Sequence, residues 1–232
     1  MTPNINAMEP NDSLRRDAAP RINLQPIAAP SILGLYGFAG ATFMVAANLA
    51  GWYGGAGSAS YLFPFAMIFG GLAQFLAAMW AFKARDGLAT AAHGTWGSFW
   101  LAYGFLTFLS LSGRIAMPGI LSPEMGYWFI VVAAITWMCM LAAFAESIGL
   151  ASVLGVLALG STIEAIARLL GAPDLQIAAG YCFVISAILA WWVASAMMFE
   201  EAYGHPVMGV GKRIRRASMG SGMGEPGVIR GQ

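Results

Sequence analysis

Long apolar runs constrain this chain more than any other feature. Six stretches, each of about 20 residues, are almost free of charged side chains and together cover most of the 232 residues. A helix needs roughly 20 apolar residues to cross the ~30 Å hydrocarbon core of a bilayer. The whole chain is 59% hydrophobic and 10% charged, whereas about a quarter of the residues in a soluble domain are charged. The runs therefore predict an integral membrane protein and exclude a water-soluble globule.

The runs predict an all-α membrane protein, a bundle of six transmembrane helices. The predicted spans are residues 32–51, 60–82, 94–112, 126–145, 148–170 and 177–199. Glycine- and proline-rich turns separate most of them, but a single charge, Glu146, marks the break between the fourth and fifth. The predicted domains are a disordered cytoplasmic N-terminal tail (1–30), the transmembrane domain (31–205) and a basic, Gly- and Ser-rich cytoplasmic tail (206–232).

The distribution of basic residues predicts the orientation of the bundle. If both termini are cytoplasmic, that side holds ten of the 12 basic residues, and the other side holds Arg114 and Arg168. Cytoplasmic loops carry such an excess of Lys and Arg. We therefore expect a multi-pass protein of a plasma membrane, with a bacterial inner membrane favoured. The net charge of +1 predicts that the lipid bilayer, and not a nucleic acid, is its large-scale partner.

The sequence contains none of the common catalytic, nucleotide-binding or zinc-binding motifs. The histidines, His93 and His205, are separate from each other and from the two cysteines, and we expect them at solvated or interfacial positions. We expect neither a metal nor a cofactor, and we expect that the protein is not an enzyme. A six-helix protein of this kind is expected to transport a solute, sense one, or act as a scaffold.

Four short motifs give the chain a resemblance to a known family. They are A-P-S-I-L-G-L from Ala29, F-G-G-L-A-Q from Phe69, W-G-S-F-W from Trp96 and E-A-Y-G from Glu201. In their order and spacing they resemble the motifs of the acetate uptake transporter family, which includes bacterial acetate–succinate permeases and fungal ammonia/acetate exporters. The family's aromatic residue in the third span is Tyr, and here it is Trp96.

The resemblance implies a six-helix protomer that assembles as a homohexamer, in which each subunit has its own pore for small monocarboxylates. The family narrows that pore with a Phe, a Tyr and a Leu, which match Phe38, Trp96 and Leu157 here. Such a constriction excludes hydrated ions because they would have to lose their water. Because Trp is bulkier than Tyr and its indole N–H donates but cannot accept, we expect a narrower pore, or one that favours a different small solute, with the ring N–H available to the carboxyl group of the solute.

Polar residues within the spans are further candidates for the substrate pathway. Gln74 lies near mid-span within a matched motif, and Asn48 falls on one helical stripe with Phe38. Polar side chains in membrane helices face the bundle or a water-filled cavity, although hydrogen bonds between helices explain them equally well. Glu164 and Arg168 are four residues apart, which favours an ion pair that neutralises itself.

The resulting hypothesis is a transporter or channel for small monocarboxylates such as acetate and, in some members, succinate, either proton-coupled or passive. Proton coupling is an option because an isolated carboxylate is very costly to bury, on the order of 20 kcal/mol in an idealised treatment. One alternative is a channel for small neutral solutes such as urea or amides. The other is a membrane scaffold or sensor subunit without a pore.

Overall fold

The computed structural model describes residues 27–55 and 57–212. This part of the chain contains six long helices. They are α1 (Pro30–Leu49), α2 (Ser58–Ala84), α3 (Gly87–Leu111), α4 (Pro123–Ala143), α5 (Ile148–Leu170) and α6 (Pro173–Tyr203). The predicted all-α bundle is confirmed. Most of the predicted N-terminal tail, residues 1–26, and residues 213–232 of the predicted C-terminal tail lie outside the described residues.

Five of the six described helices are long and apolar enough to cross a membrane. The sixth, α3, is not among these five and contains polar residues such as His93 and Ser98. Helices α1, α4 and α6 begin at a proline, and α3 and α5 begin after a side-chain cap, so several helices run further than the apolar runs that predicted them. Helix α3 begins at Gly87 and not at residue 94, because the Asp86 carboxylate accepts a 2.8 Å hydrogen bond from the Ala89 N–H. Ser147 caps α5 in the same way, next to the break predicted at Glu146.

Helix α2 has an irregular middle. Residues Ala66–Ala73 form a π-helical stretch that begins two residues after Pro64 and contains most of the F-G-G-L-A-Q motif. Gln74 is the first residue after this stretch, where regular α-helix resumes. π-Helical turns inside α-helices are frequent at functional sites, and this one sets the direction from which Gln74 enters the bundle.

The six helices form a closed ring. Each helix packs against the next one in the chain, and α6 returns to pack against α1. Glycines allow close approach between the helices: a Cβ on Gly97 of α3 would lie 2.8 Å from the Phe75 nitrogen of α2, and one on Gly70 would lie 2.5 Å from the Ala41 Cβ of α1. The ring therefore encloses an axis running along the bundle, and small residues bring its walls together.

The segment after α6 folds back onto the bundle. The N–H groups of Ile148 and Gly149, at the start of α5, donate to the carbonyls of Gly211 and Val210 at 3.1 and 2.9 Å. The Trp192 indole donates to the Gly209 carbonyl at 3.1 Å, and Lys212 forms an ion pair with Glu200. Residues 209–212 therefore supply acceptors to N–H groups of α5 that have no partner within their own helix.

The glycine contacts make a direct stability prediction. Gly97→Ala should destabilise the protein by about 1–3 kcal/mol, because the new methyl group would displace the α2 backbone. Gly94→Ala is the matched control on the same helix: its methyl would meet only the Ala78 Cβ, at 3.8 Å, and Ala favours a helix over Gly by up to ~1 kcal/mol. Thermal unfolding in detergent should show a lower Tm for Gly97→Ala alone, and equal Tm values would contradict this packing.

Candidate functional site

Two cavities lie one after the other along the bundle. The first has a volume of about 220 Å³, and residues near helix ends, including Ser31, Asp86 and Ser147, line its mouth. The second has a volume of about 80 Å³ and lies towards the opposite end, beside Leu49 and Arg168. Even the smaller volume exceeds the roughly 10–15 Å³ that one buried water requires. Trp96 and Leu157 line both cavities and therefore form the wall between them.

Three predicted pathway residues meet at this wall. Phe38 and Trp96 make an edge-to-face contact with their ring centroids 6.2 Å apart, and Phe38 and Leu157 both line the first cavity. All three side chains are buried; Leu157 is only 1% exposed. We call Phe38, Trp96 and Leu157 the throat.

The Trp96 ring is fixed by a hydrogen bond that the sequence did not reveal. Its indole N–H donates to the Thr136 hydroxyl at 3.0 Å, and this hydroxyl donates to the Val132 carbonyl at 2.6 Å. The indole N–H is therefore already engaged, which corrects the expectation that it offers a donor to a passing solute. Trp96 instead presents an apolar ring to the cavities, and α4 holds that ring in place.

Gln74 and His93 are two buried polar residues that line the first cavity. Gln74 lines this cavity, and its Nε2 lies 3.4 Å from the His93 Nδ1. His93 is only 4% exposed, so the expectation of a solvated or interfacial histidine is wrong. Gly34 of α1 lies against its imidazole ring, since a Cβ on that residue would be 2.5 Å from the ring.

An ion pair lies in the second cavity. The predicted pair of Glu164 and Arg168 is present, with the Arg168 Nε donating to the Glu164 Oε1 at 2.7 Å. The Gln176 amide donates to the same oxygen at 3.2 Å, and the Arg168 Nη1 also donates to the Gly119 carbonyl at 3.0 Å. Although the pair ties α5 to α6 and to the segment before α4, both of its members also line the cavity.

Asn48 is separate from the other candidates. Its side-chain amide donates to the Tyr53 carbonyl at 2.8 Å, and it lines neither cavity. The contact holds the turn that follows α1. Asn48 therefore has a structural partner here and does not join the residues around the throat.

Four buried side-chain atoms in the described ranges, 27–55 and 57–212, have no hydrogen-bond partner: Thr42 Oγ1, Gln74 Oε1, Trp100 Nε1 and Glu164 Oε2. Gln74 lines the first cavity, and the other three residues line the second. An unpaired buried polar atom costs about 1–3 kcal/mol, and native proteins rarely leave one unsatisfied. Because their residues line the cavities, a water or solute that reaches these atoms would supply the missing partner.

Within the same described ranges, no group of three or more His, Cys, Asp or Glu residues is arranged to hold a metal ion. The polar side chains that line the two cavities include the Gln74 amide, the His93 imidazole, the Thr42 hydroxyl, the Trp100 indole and the Glu164–Arg168 ion pair. Such groups bind a small polar solute through hydrogen bonds.

Comparison with known proteins gives the family. The model of the GPR1/FUN34/yaaH family matches residues 13–207. The chain belongs to this family. The resemblance drawn from the four motifs is thereby confirmed, and the matched region contains all six helices.

The chain is similar to a curated relative in sequence and to a solved structure in fold. The chain is 26% identical over 189 residues to the acetate transporter protein patA of Aspergillus clavatus, an alignment that covers 77% of this chain and 76% of the relative. Its fold is similar to the structure of the bacterial acetate channel SatP, with a TM-score of 0.74 and 22% identity, covering 80% of this chain and 100% of the other. The likeness extends to the whole bundle of the solved channel.

The Trp96–Thr136 contact predicts a difference between two similar variants. Thr136→Val leaves the Trp96 N–H buried without an acceptor and should lower stability by about 1–3 kcal/mol. Thr162→Val removes the same kind of bond from Trp137, at 3.2 Å, but both of those residues are only half-buried, so the loss should be smaller. Thermal unfolding of the two variants tests this, and a larger loss for Thr162→Val would contradict the assignment.

Proposed function

We propose that this protein is a transporter or channel for acetate and similar small monocarboxylates. One observation carries the proposal: two cavities with polar groups adjoin at an apolar throat within a single bundle. The names of the two relatives, an acetate transporter and an acetate channel, support the same substrate class. An enzymatic role is not proposed, because the family is one of transporters and channels.

The throat acts as a filter on hydration. A hydrated ion must lose its water to pass between Phe38, Trp96 and Leu157, where the described side chains offer it no hydrogen bond in return. A short carboxylic acid has a methyl group that an apolar throat accepts, and its carboxyl group finds polar partners on either side. Gln74 and His93 supply these partners in the first cavity, and the second cavity supplies Thr42, Trp100 and Glu164.

The distribution of basic residues determines how the path is oriented in the membrane. With both termini cytoplasmic, the first cavity opens towards the cytoplasm, because Ser31 near the start of α1 and Lys212 after α6 line it. The membrane is a plasma membrane, with a bacterial inner membrane favoured. By resemblance to the family, the protomers assemble as a homohexamer in which each subunit keeps its own path. Protons accompany the acid if it crosses in the neutral form.

The two alternatives explain fewer of these features. A scaffold has no need for unpaired polar atoms along an internal path, yet all four described ones lie there. A channel for urea would use the same cavities, but the family relatives named above are for acetate. The acid-transporting function is therefore the better-supported reading.

Widening the throat should change the selectivity of transport. In proteoliposomes, Trp96→Ala should raise the flux of butyrate relative to acetate by about tenfold, the ratio that roughly 1.4 kcal/mol of barrier produces. Trp191→Ala is the matched control because Trp191 is exposed on the outside of the bundle, and it should keep the original ratio. Radiolabelled uptake, corrected with protein-free liposomes, gives both fluxes.

The same preparation discriminates between the substrate classes. Acetate should enter faster with the protein than without it, and urea should not. If urea passes and acetate does not, the proposed substrate class is wrong. If neither passes and Trp96→Ala changes nothing, the scaffold is the correct alternative.

A further inference from the structure

We propose that the second cavity is a binding site for the neutral, protonated form of a short carboxylic acid, with Glu164 as the residue that selects this form. The inference rests on the proposed function, since it presupposes that the acid passes through the protein. It deepens that function by naming which protonation state the site accepts and which side chains recognise it.

The two oxygens of the Glu164 carboxyl group have different hydrogen-bond environments. Glu164 is 1% exposed, and its Oε1 accepts hydrogen bonds from both Arg168 and Gln176. Its Oε2 has no partner, although the residue lines the cavity. A carboxylate held by two donors on one oxygen offers only acceptor sites on the other. An occupant of the cavity that reaches Oε2 would therefore have to supply the hydrogen.

Trp100 and Thr42, which also line this cavity, each have a polar group without a hydrogen-bond partner. The indole N–H of Trp100 can only donate, and the hydroxyl of Thr42 both donates and accepts; neither has a partner in the protein. A protonated carboxyl group has one O–H to donate and one carbonyl oxygen to accept. The cavity thus offers an acceptor for the O–H and donors for the C=O, next to apolar rings such as Phe129 and Phe183 that suit a short alkyl chain.

The charges around the second cavity disfavour the carboxylate anion of the acid. Among the described residues that line this cavity, the ionisable ones are Glu164, Arg168 and Tyr103. The Arg168 charge is neutralised by Glu164 at 2.7 Å, and its guanidinium also donates to the Gly119 carbonyl. A carboxylate entering the cavity would bring two acceptor oxygens towards the Glu164 carboxylate, which repels it. In the alternative arrangement Arg168 binds the anion, and the Oε2 of Glu164 remains without a hydrogen-bond donor.

The neutral acid also fits the energetics of the throat beside it. An acid that is already protonated in the second cavity reaches Trp96 and Leu157 without a charge to bury, and the desolvation penalty of an ion, several kcal/mol even after relaxation, does not arise. Binding and passage then involve no covalent change. The proton travels with the acid and leaves it on the far side.

The test holds the concentration of acetic acid constant while the pH, and with it the acetate concentration, is raised. Passive leak of the neutral acid through lipid is then the same in every sample. With the wild-type protein in liposomes, the protein-dependent uptake should stay constant as acetate rises. Uptake that grows in proportion to acetate would mean that Arg168 binds the anion, and would overturn the inference.

Two variants locate the effect at Glu164. In Glu164→Gln the amide supplies a donor, so uptake should now rise with acetate, and half-saturation by acetic acid should weaken by about tenfold. Gln176→Leu is the matched control, because it removes a bond to Oε1 and leaves Oε2 as it was; it should respond to pH like the wild type. If the two variants respond alike, Glu164 is not the selecting residue.

A measurement on the wild-type protein covers the case in which Glu164→Gln does not fold. Acetamide is neutral, nearly isosteric with acetic acid, and provides both an N–H donor and a carbonyl; acetone lacks the donor. Acetamide should compete with acetic acid uptake and acetone should not. Competition by neither or by both overturns the inference while protein-dependent acetate uptake continues, whereas the loss of that uptake altogether would overturn the proposed function as well.

Discussion

Hydrocarbon offers no hydrogen bonds, and this constraint determines how the polar atoms of the bundle are arranged. Several hydroxyl groups on the helices donate to a carbonyl one turn earlier, as Ser161 does to Leu157 and Thr162 does to Ala158. Such a hydroxyl oxygen can still accept a hydrogen bond, and the Thr136 hydroxyl accepts one from the indole N–H of Trp96. Against this background the unpartnered atoms along the two cavities are exceptions, and they coincide with the proposed route of the solute.

Close helix packing and the throat depend on each other. Glycines in α1, α2 and α3 let the backbones approach, and that approach brings Phe38 of α1 against Trp96 of α3. Leu157 of α5 completes the wall from the other side of the ring. A closed ring with larger interface residues would hold these side chains apart, and the two cavities would merge. The contact between Phe38 and Trp96 therefore depends on small residues elsewhere in the bundle.

The sequence was sufficient for the helices because length and hydropathy determine which segments can cross a membrane. The family resemblance also named Phe38, Trp96, Leu157 and Gln74, all of which line the first cavity, and their role in transport stays a prediction. The sequence did not reveal the burial of His93 against Gly34 of another helix, or the anchoring of Trp96 by Thr136. Asn48 was misleading because a helical stripe says nothing about the loop carbonyl of Tyr53 that it contacts.

The most direct test of the account is chemical modification of the wall between the cavities. In a background with Cys139 and Cys182 replaced by Ala, Leu157→Cys is treated with a small methanethiosulfonate reagent during acetate uptake. Leu159→Cys is the control, because that position is exposed on the outer surface of the bundle. Modification at position 157 should block uptake, and modification at position 159 should not. Full labelling at 157 with undiminished uptake would contradict a path through the throat.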